Sequence, residues 1–145
     1  MPIPPTNPKS WKAVIRKLKP QCEFHPPADP AAIRAAEKKL NVVFPDALKN
    51  LLLETNGVDD WLVLSIERIL ETNVEMRTYP DFPELYMPFD NLLFFGGNGG
   101  GDLYGYRILN GKVDADNVYE WEHENDSRNW VASALNDFLW RKLTP

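Results

Sequence analysis

The spacing of apolar positions changes once along the chain, from a helical period in the first half to a strand-like period in the second. Up to about residue 78, apolar residues recur every three or four positions, which is typical of amphipathic helices. Each of these helical stretches follows a residue or pair that commonly begins a helix. These starts are Asn7-Pro8, Asp29-Pro30, Pro45-Asp46 and Ser65. Asn41 and Gly57 are expected to end the second and third helices, Gly57 as a left-handed cap.

The second half of the chain predicts strands. One short strand is also predicted in the first half, at Trp61–Leu64. The apolar run Leu92–Phe95 indicates a central strand, because both of its faces would be buried. Residues 102–109 alternate, with Tyr104, Tyr106 and Ile108 on one face, and Asn110-Gly111 is a strong hairpin signal. A turn is predicted at Asp114–Asn117 and a strand at Val118–Glu122.

A last helix is predicted to start at Asp126-Ser127, because Trp130, Val131, Ala134 and Leu135 follow helical spacing. Helices therefore come first, an antiparallel meander follows, and a helix closes the chain. This order predicts a single-domain α+β fold with helices packed against an antiparallel or mixed sheet.

The glycine loop, residues 96–101, has five glycines in six positions. It lacks the Gly-Lys-Ser/Thr ending of a P-loop, because Gly101 is followed by Asp102-Leu103, and it has no G-x-G-x-x-G match. Nucleotide binding is therefore disfavoured. A demanding β connection and a binding edge both remain open, and Asp102 is the acid of most interest there. Its ordinary interpretation is a hydrogen bond to the backbone of the turn.

Length and composition indicate one globular domain. The chain has 145 residues, of which 43% are hydrophobic. The single Cys22 cannot form an internal disulfide. Neither a signal peptide nor a membrane span is expected, so the sequence predicts a soluble cytoplasmic protein.

The net charge of −5 hides an uneven distribution. Residues 1–40 carry eight basic and three acidic residues, a balance of +5, whereas the remaining residues carry eight and eighteen, a balance of −10. The acidic segment, residues 113–127, contains no Lys or Arg; its acids are Asp114, Asp116, Glu120, Glu122, Glu124 and Asp126. Such a surface would repel nucleic acid and attract a basic partner, although a merely solvated face is the simpler interpretation.

Candidate catalytic and metal motifs are incomplete. His123-Glu124 begins H-E-x-x-H, but position 127 is Ser. Asp114-x-Asp116 lacks the glycine and final glutamate of a calcium loop. Cys22 and His25 lack the surroundings of a nucleophile and its base. No metal, cofactor or catalytic residue is therefore expected. Trp121, between Glu120 and Glu122, is either a core residue or an anchor at an interface.

The order of these weak motifs resembles the SUKH superfamily, which includes fungal cell-wall assembly regulators and bacterial immunity proteins. The resemblance covers roughly residues 28–142. It rests on the following residues: Glu37, Leu40, Val43-Phe44-Pro45-Asp46, Leu51-Leu52, Asn56-Gly57, Gly101-Asp102-Leu103-Tyr104, Val118-Tyr119-Glu120-Trp121, Val131, Ala132, Phe138 and Leu139.

The resemblance implies a non-catalytic α+β domain over residues 28–145, preceded by a Pro-rich segment and basic helix over residues 1–27. It implies an immunity protein that neutralises a basic toxin, such as a nuclease, as a monomer or weak dimer. The acids of the acidic segment and Trp121 are the predicted partner contacts, and Pro45, Gly57, Gly101, Asp102 and Tyr104 are predicted to be structural. A regulatory interaction module, and a small enzyme or ligand binder using the glycine loop, are the alternatives.

Overall fold

The computed structural model describes all 145 residues as six helices and one four-stranded sheet. The elements are α1 Trp11–Leu18, α2 Pro30–Leu40, α3 Asp46–Glu54, α4 Ile66–Thr78, α5 Phe82–Leu85, β1 Leu92–Gly97, β2 Leu103–Leu109, β3 Lys112–Glu122, β4 Ser127–Ala132 and α6 Leu135–Leu143. The strands lie in the order β1-β2-β3-β4, and each pair of neighbours is antiparallel. This arrangement confirms the predicted α+β class.

Local capping signals place the helices α2 and α4 correctly. The Asp29 carboxylate accepts a hydrogen bond from the backbone N–H of Ala31, and Asn41 ends α2 in the left-handed region at φ 55°. Ser65 caps α4 by accepting from the N–H of Arg68. These assignments depend only on neighbouring residues, so the sequence alone is sufficient to find them.

The first helix begins later than predicted, at Trp11 with Ser10 as its N-cap, so the start at Asn7-Pro8 is wrong. The reason is a long-range contact with Glu54 at the end of α3. Its carboxylate accepts hydrogen bonds from the N–H of Trp11 at 2.7 Å and the hydroxyl of Ser10 at 3.0 Å. A carboxylate at this end of a helix stabilises the unpaired N–H groups. Trp11 and Ile15 are fully buried, so α1 contributes to the main core.

The hairpin between β2 and β3 turns at Asn110 and Gly111, with φ of 54° and 74°, as predicted. The turn predicted at Asp114–Asn117 is wrong, because these residues continue β3. Ile108 pairs with Val113 and Tyr106 pairs with Val118, so four residues of β3 lie opposite Arg107 alone. The signals for a turn therefore correspond to a large bulge.

Strand β1 is an edge strand rather than the predicted central one, although all six of its residues are buried. The segment 61–64 covers its outer edge: the N–H of Leu64 donates to the carbonyl of Phe95, and that of Gly97 to the carbonyl of Trp61, both at 2.8 Å. The predicted strand Trp61–Leu64 is wrong, since it makes only an isolated bridge at Val63. This segment and the side chain of Asn73 protect an edge that would otherwise be open.

The predicted helix start at Asp126-Ser127 is wrong as well. Asp126 lies in the left-handed region at φ 59°, in the turn between β3 and β4. Residues 127–132 then form β4, and α6 begins only at Leu135. The helical spacing from Trp130 to Leu135 is coincidental, because Trp130 is 49% exposed and contributes to no helix face.

The two faces of the sheet bury two separate apolar clusters. Leu93, Tyr104 and Tyr106 belong to the main core, together with residues of the helices. The second cluster is smaller and consists of Met76, Phe89, Leu92, Phe94 and Trp121. None of the helices has the length and apolar character needed to cross a membrane.

Candidate protein-binding surface

The acidic segment lies on β3 and on its turn into β4, and its six acids do not share one environment. Asp114 is paired with the guanidinium of Arg107 across the β3 bulge. This ion pair is the principal reason that the pKa of Arg107 is raised. Asp114 is therefore already neutralised by a neighbour and offers less charge to a partner than the sequence suggests.

Asp126 points inward and holds the preceding loop against the sheet. One carboxylate oxygen accepts from the indole Nε1 of Trp121 at 2.7 Å and from Arg128 at 3.1 Å, and the other from the backbone N–H of Met87 at 2.8 Å. Burial alone would raise the pKa of Asp126, but the hydrogen bonds from Met87, Trp121 and Arg128 outweigh it and lower the pKa. We call this group the Asp126 network.

Trp121 lies inside the second apolar cluster and is only 4% exposed. Its ring meets those of Tyr86 and Phe89 edge to face, with centroids 5.1 Å and 5.2 Å apart. The structure thus places Trp121 in the core, which was the simpler of its two interpretations, and leaves no ring surface for a partner.

The other four acids are reachable from solvent to different degrees. Asp116 and Glu124 are exposed and have no hydrogen-bond or ion-pair partner in the chain. Glu122 is half-buried and accepts a hydrogen bond from the amide of Asn129 at 3.2 Å. Glu120 is half-buried beside Tyr104, where burial first and then Glu120 raise the pKa of the tyrosine. The accessible negative charge is therefore centred on Asp116, Glu122 and Glu124.

The glycine loop is closed by Asp102 and His123. Asp102 accepts from His123 Nδ1 at 2.7 Å and from the His123 backbone N–H at 3.1 Å. Asn98 donates its amide to the other carboxylate oxygen at 3.0 Å. The hydrogen bond from the His123 side chain is the main cause that lowers the pKa of Asp102. These contacts join the loop to the end of β3.

Gly101 allows the His123 ring to lie close to the loop. Its φ is +111°, and a Cβ at this position would lie 2.9 Å from His123 Nδ1. A carboxylate paired with an imidazole can orient a general base. Both carboxylate oxygens of Asp102 accept hydrogen bonds from its own loop or from His123, however. The hydrogen bonds to the turn backbone that were expected of Asp102 are made by Asn98, whose side-chain oxygen accepts from the N–H groups of Gly100 and Asp102. Asp102 instead joins the loop to His123.

The remaining motif residues occupy connections and the core. Pro45 is the N-cap residue of α3. Gly57 has a φ of +100°, two residues beyond the C-cap Thr55, and a Cβ there would lie 2.8 Å from the carbonyl of Val63. Tyr104 is 3% exposed, with its ring 4.9 Å from that of Phe138.

Cys22 and the acidic side chains do not assemble into a metal site. Cys22 is buried and its pKa is raised, chiefly by burial. No group of three or more His, Cys, Asp or Glu side chains is placed to hold a metal ion.

Residues 79–90 form a surface for which the sequence predicts no helix or strand. This stretch, which we call the aromatic segment, contains α5 and exposes Tyr79, Leu85 and Met87. Its signal is present in the sequence: the thirteen positions from Tyr79 to Asn91 hold six aromatic or aliphatic residues, three prolines and three acids. The interpretation requires the fold, because only the Asp126 network shows that the segment is fixed on the sheet.

Comparison with known proteins gives a family and one distant relative. The model of the SMI1/KNR4 family (SUKH-1) matches residues 27–141. The uncharacterized protein YnaB of Bacillus subtilis (strain 168) is 36% identical over 98 residues, which are 63% of this chain. The match spans 65% of the length of YnaB, just under two thirds. The family match confirms the resemblance found in the sequence.

Proposed function

Because this chain belongs to the SMI1/KNR4 family (SUKH-1), we propose that it is a non-catalytic protein-binding domain that neutralises a basic toxin, most simply a nuclease. The observation that carries the proposal is the accessible negative charge at Asp116, Glu122 and Glu124, three acids of the acidic segment with no ion-pair partner in the chain. Nucleases bind phosphates with Lys and Arg, so an acidic surface can occupy the same groups. Complementary charge also accelerates the encounter of two proteins.

The environment of Asp102 supports a role without chemistry. A general base must be free to take a proton from a substrate. Asp102 instead accepts four hydrogen bonds: one from Asn98, two from His123, and one at its backbone carbonyl from the Asn98 N–H at 3.2 Å. An enzyme that uses this residue would need to break contacts that order the glycine loop.

The proposal is tested with the protein encoded beside this chain in its genome. If that neighbour is a toxin, co-expression of this chain should rescue growth of the producing cell, and the purified pair should bind. Binding should weaken as salt is raised, because exposed charges are screened. A neighbour that is no toxin, or a toxin that neither binds nor is neutralised, would overturn the proposal. A change in growth or cell wall on deletion would then favour the regulatory module.

Matched charge variants locate the contact. The triple variant Asp116→Asn/Glu122→Gln/Glu124→Gln should slow association by about tenfold, because it removes charges that steer the partner. The control variant Glu23→Gln/Asp60→Asn/Glu71→Gln removes the same number of negative charges, all three of them exposed, elsewhere on the chain. Equal slowing in both variants would show that only net charge matters, and would remove the support for the acidic segment.

A further inference from the structure

The aromatic segment and the end of α4 form a preformed apolar cleft. The cleft has a volume of about 220 Å³ and is lined by Met76, Tyr79, Phe82, Tyr86 and Phe89, among others. The rings contact one another in a chain: Tyr79 and Phe82 have centroids 4.7 Å apart, and Phe82 and Tyr86 5.3 Å apart. Packed rings lose little freedom on binding, so such a cleft is suited to receive an apolar side chain.

The cleft is held open by contacts outside the aromatic segment. Arg128 donates to the carbonyls of Met87 at 2.8 Å and Pro88 at 2.9 Å, and its guanidinium lies 4.8 Å from the ring of Phe89. Tyr86 donates its hydroxyl to the carbonyl of His123 at 3.1 Å. The Asp126 network therefore fixes the cleft wall on the sheet, beside the exposed Glu124.

Large apolar side chains of the aromatic segment are exposed. Tyr79 and Met87 line the cleft, and Leu85 precedes the lining residue Tyr86. Leu85 is 64% exposed, Met87 58% and Tyr79 44%. Three of the ten exposed large apolar residues of the chain thus fall within nine positions. Such a concentration is typical of a surface that binds another molecule.

The charge around the cleft selects the kind of molecule. Asp81, Glu84 and Asp90 are all exposed. The one basic residue that lines the cleft, Arg77, is half-buried and donates to the backbone carbonyls of Leu40 and Leu92. None of the three acids forms an ion pair with any cation of the chain. An apolar cleft with a negative rim is complementary to an apolar side chain flanked by Lys or Arg.

We propose that the cleft of the aromatic segment is the anchor site for the basic partner, and that it takes an apolar side chain from a cationic amphipathic segment of that protein. The inference rests on the proposed function for the basic character of the partner. It goes further in placing the centre of the interface on the aromatic segment, with the acidic segment contributing long-range attraction. Apolar anchors in pockets contribute most of the binding energy in many interfaces, whereas peripheral charges mainly change association rates.

The first experiment uses a synthetic probe and so does not depend on finding the partner. The probe is an 18-residue amphipathic helix of Leu and Lys, titrated into the full chain and followed by fluorescence anisotropy of a label on the peptide. A peptide of the same length and charge with every Leu replaced by Ser should bind at least about tenfold more weakly. No measurable binding of the Leu/Lys peptide, or equal binding of the two peptides, would overturn the inference.

Apolar variants test whether the peptide occupies the cleft. The variant Leu85→Ser/Met87→Ser should weaken peptide binding by about tenfold or more, because it removes an exposed apolar side chain that lines the cleft and the exposed apolar side chain two residues before it. The control Val43→Ser/Leu109→Ser changes side chains of similar exposure, 63% and 55%, outside the cleft and should change binding by less than about twofold. Equal losses in the two variants would overturn the inference. All four side chains are more than half exposed, so the variants are expected to fold.

A second experiment separates failure of the inference from failure of the proposed function. With a toxin that the chain neutralises, Leu85→Ser/Met87→Ser should raise the dissociation rate by about tenfold or more. If that variant binds normally while the triple variant at Asp116, Glu122 and Glu124 does not, the inference is wrong and the proposed function stands. If the chain dimerises in ultracentrifugation and the cleft variant abolishes the dimer, a second copy is the occupant and the inference is also wrong.

Discussion

The indole Nε1 of Trp121 donates a hydrogen bond to the carboxylate of Asp126 at 2.7 Å, across the turn that joins β3 to β4. Both residues belong to the acidic segment in sequence, but in the fold both contact the aromatic segment. Trp121 forms the floor under Tyr86 and Phe89, and Asp126 also accepts from the N–H of Met87. The position of the aromatic segment therefore depends on one acid of the acidic segment.

Asp126→Asn is expected to destabilise the protein by about 2 kcal/mol. The two carboxylate oxygens accept from three donors, whereas the asparagine amide has only one oxygen and adds an NH₂ donor group. Both the Asp126 and Arg128 side chains are mostly buried, at 13% and 14% exposure, so water compensates only in part. The measurement is urea unfolding at pH 7 followed by tryptophan fluorescence. Glu124→Gln, an exposed change two residues away, should alter stability by less than about 0.5 kcal/mol. Similar values for the two variants would contradict the role of the network.

Stability should fall in acid, because three aspartates have lowered pKa values in the folded state. Asp126 is one and Asp102 is another. The third is Asp137, where burial is outweighed by hydrogen bonds from the Ser133 N–H, Arg141 and the Ser133 hydroxyl. A lowered folded pKa stabilises the fold fully above the unfolded value of about 3.9, and this contribution is lost as pH falls through the folded values.

The pH prediction is measured as the urea midpoint at pH 7, 5, 4 and 3. The midpoint should be nearly constant from pH 7 to 5 as far as these groups are concerned, and should decrease below about pH 4. Asp126→Asn should reduce that decrease, since one of the three groups no longer titrates. An unchanged midpoint between pH 5 and 3 would show that these carboxylates do not stabilise the fold as charged groups.

Features set by neighbouring residues could be predicted from the sequence, and those set by distant contacts could not. The cap at Asp29, the left-handed Asn41 and the hairpin at Asn110-Gly111 all follow from local chemistry. The start of α1 depends on Glu54, which is more than forty residues away. A strand at Ser127–Ala132 was missed because its apolar spacing also fits a helix and continues into the true helix α6.

The candidate surface also combines features that neighbouring residues determine with features that distant contacts determine. The sequence identified the acids of β3, but which of them are free depends on partners brought near by the fold. Arg107 lies across the hairpin from Asp114, and Met87 reaches Asp126 from 39 residues earlier in the chain. The aromatic segment could not be predicted as a surface, because its prolines and its four-residue helix give no clear apolar period.

Asn73→Leu is expected to cost about 2–4 kcal/mol, although it replaces a polar side chain in the core with an apolar one. Asn73 is 1% exposed, and its amide donates to the carbonyl of Phe94 at 2.8 Å while its oxygen accepts from the Phe94 N–H at 2.9 Å. It thus replaces a neighbouring strand at the edge of β1. Leucine would leave both backbone groups buried without partners, at about 1–3 kcal/mol each.

The Asn73 prediction is measured by chemical unfolding, with Thr78→Ala as the control. Thr78 is an exposed residue of the same helix whose hydroxyl donates to the carbonyl of Val74. Its replacement should change stability by less than about 1 kcal/mol. A stable Asn73→Leu variant would mean that water or a shifted backbone satisfies Phe94, and that the edge of β1 does not depend on this side chain.

Gly96→Ala should be among the most damaging single substitutions in the glycine loop. A Cβ at Gly96 would lie 2.3 Å from the carbonyl oxygen of Leu62, a backbone atom that is fixed by the cover over β1. The segment 61–64 would need to move away, breaking the hydrogen bond from Gly97 to Trp61, so we expect a loss of at least about 2 kcal/mol. The matched control is Gly100→Ala, where the nearest atom is 3.5 Å away and belongs to a side chain. That variant should be neutral or slightly stabilising, because alanine restricts the unfolded chain. Thermal unfolding of the two variants decides the matter: equal melting temperatures would show that β1 does not require the close approach of Leu62.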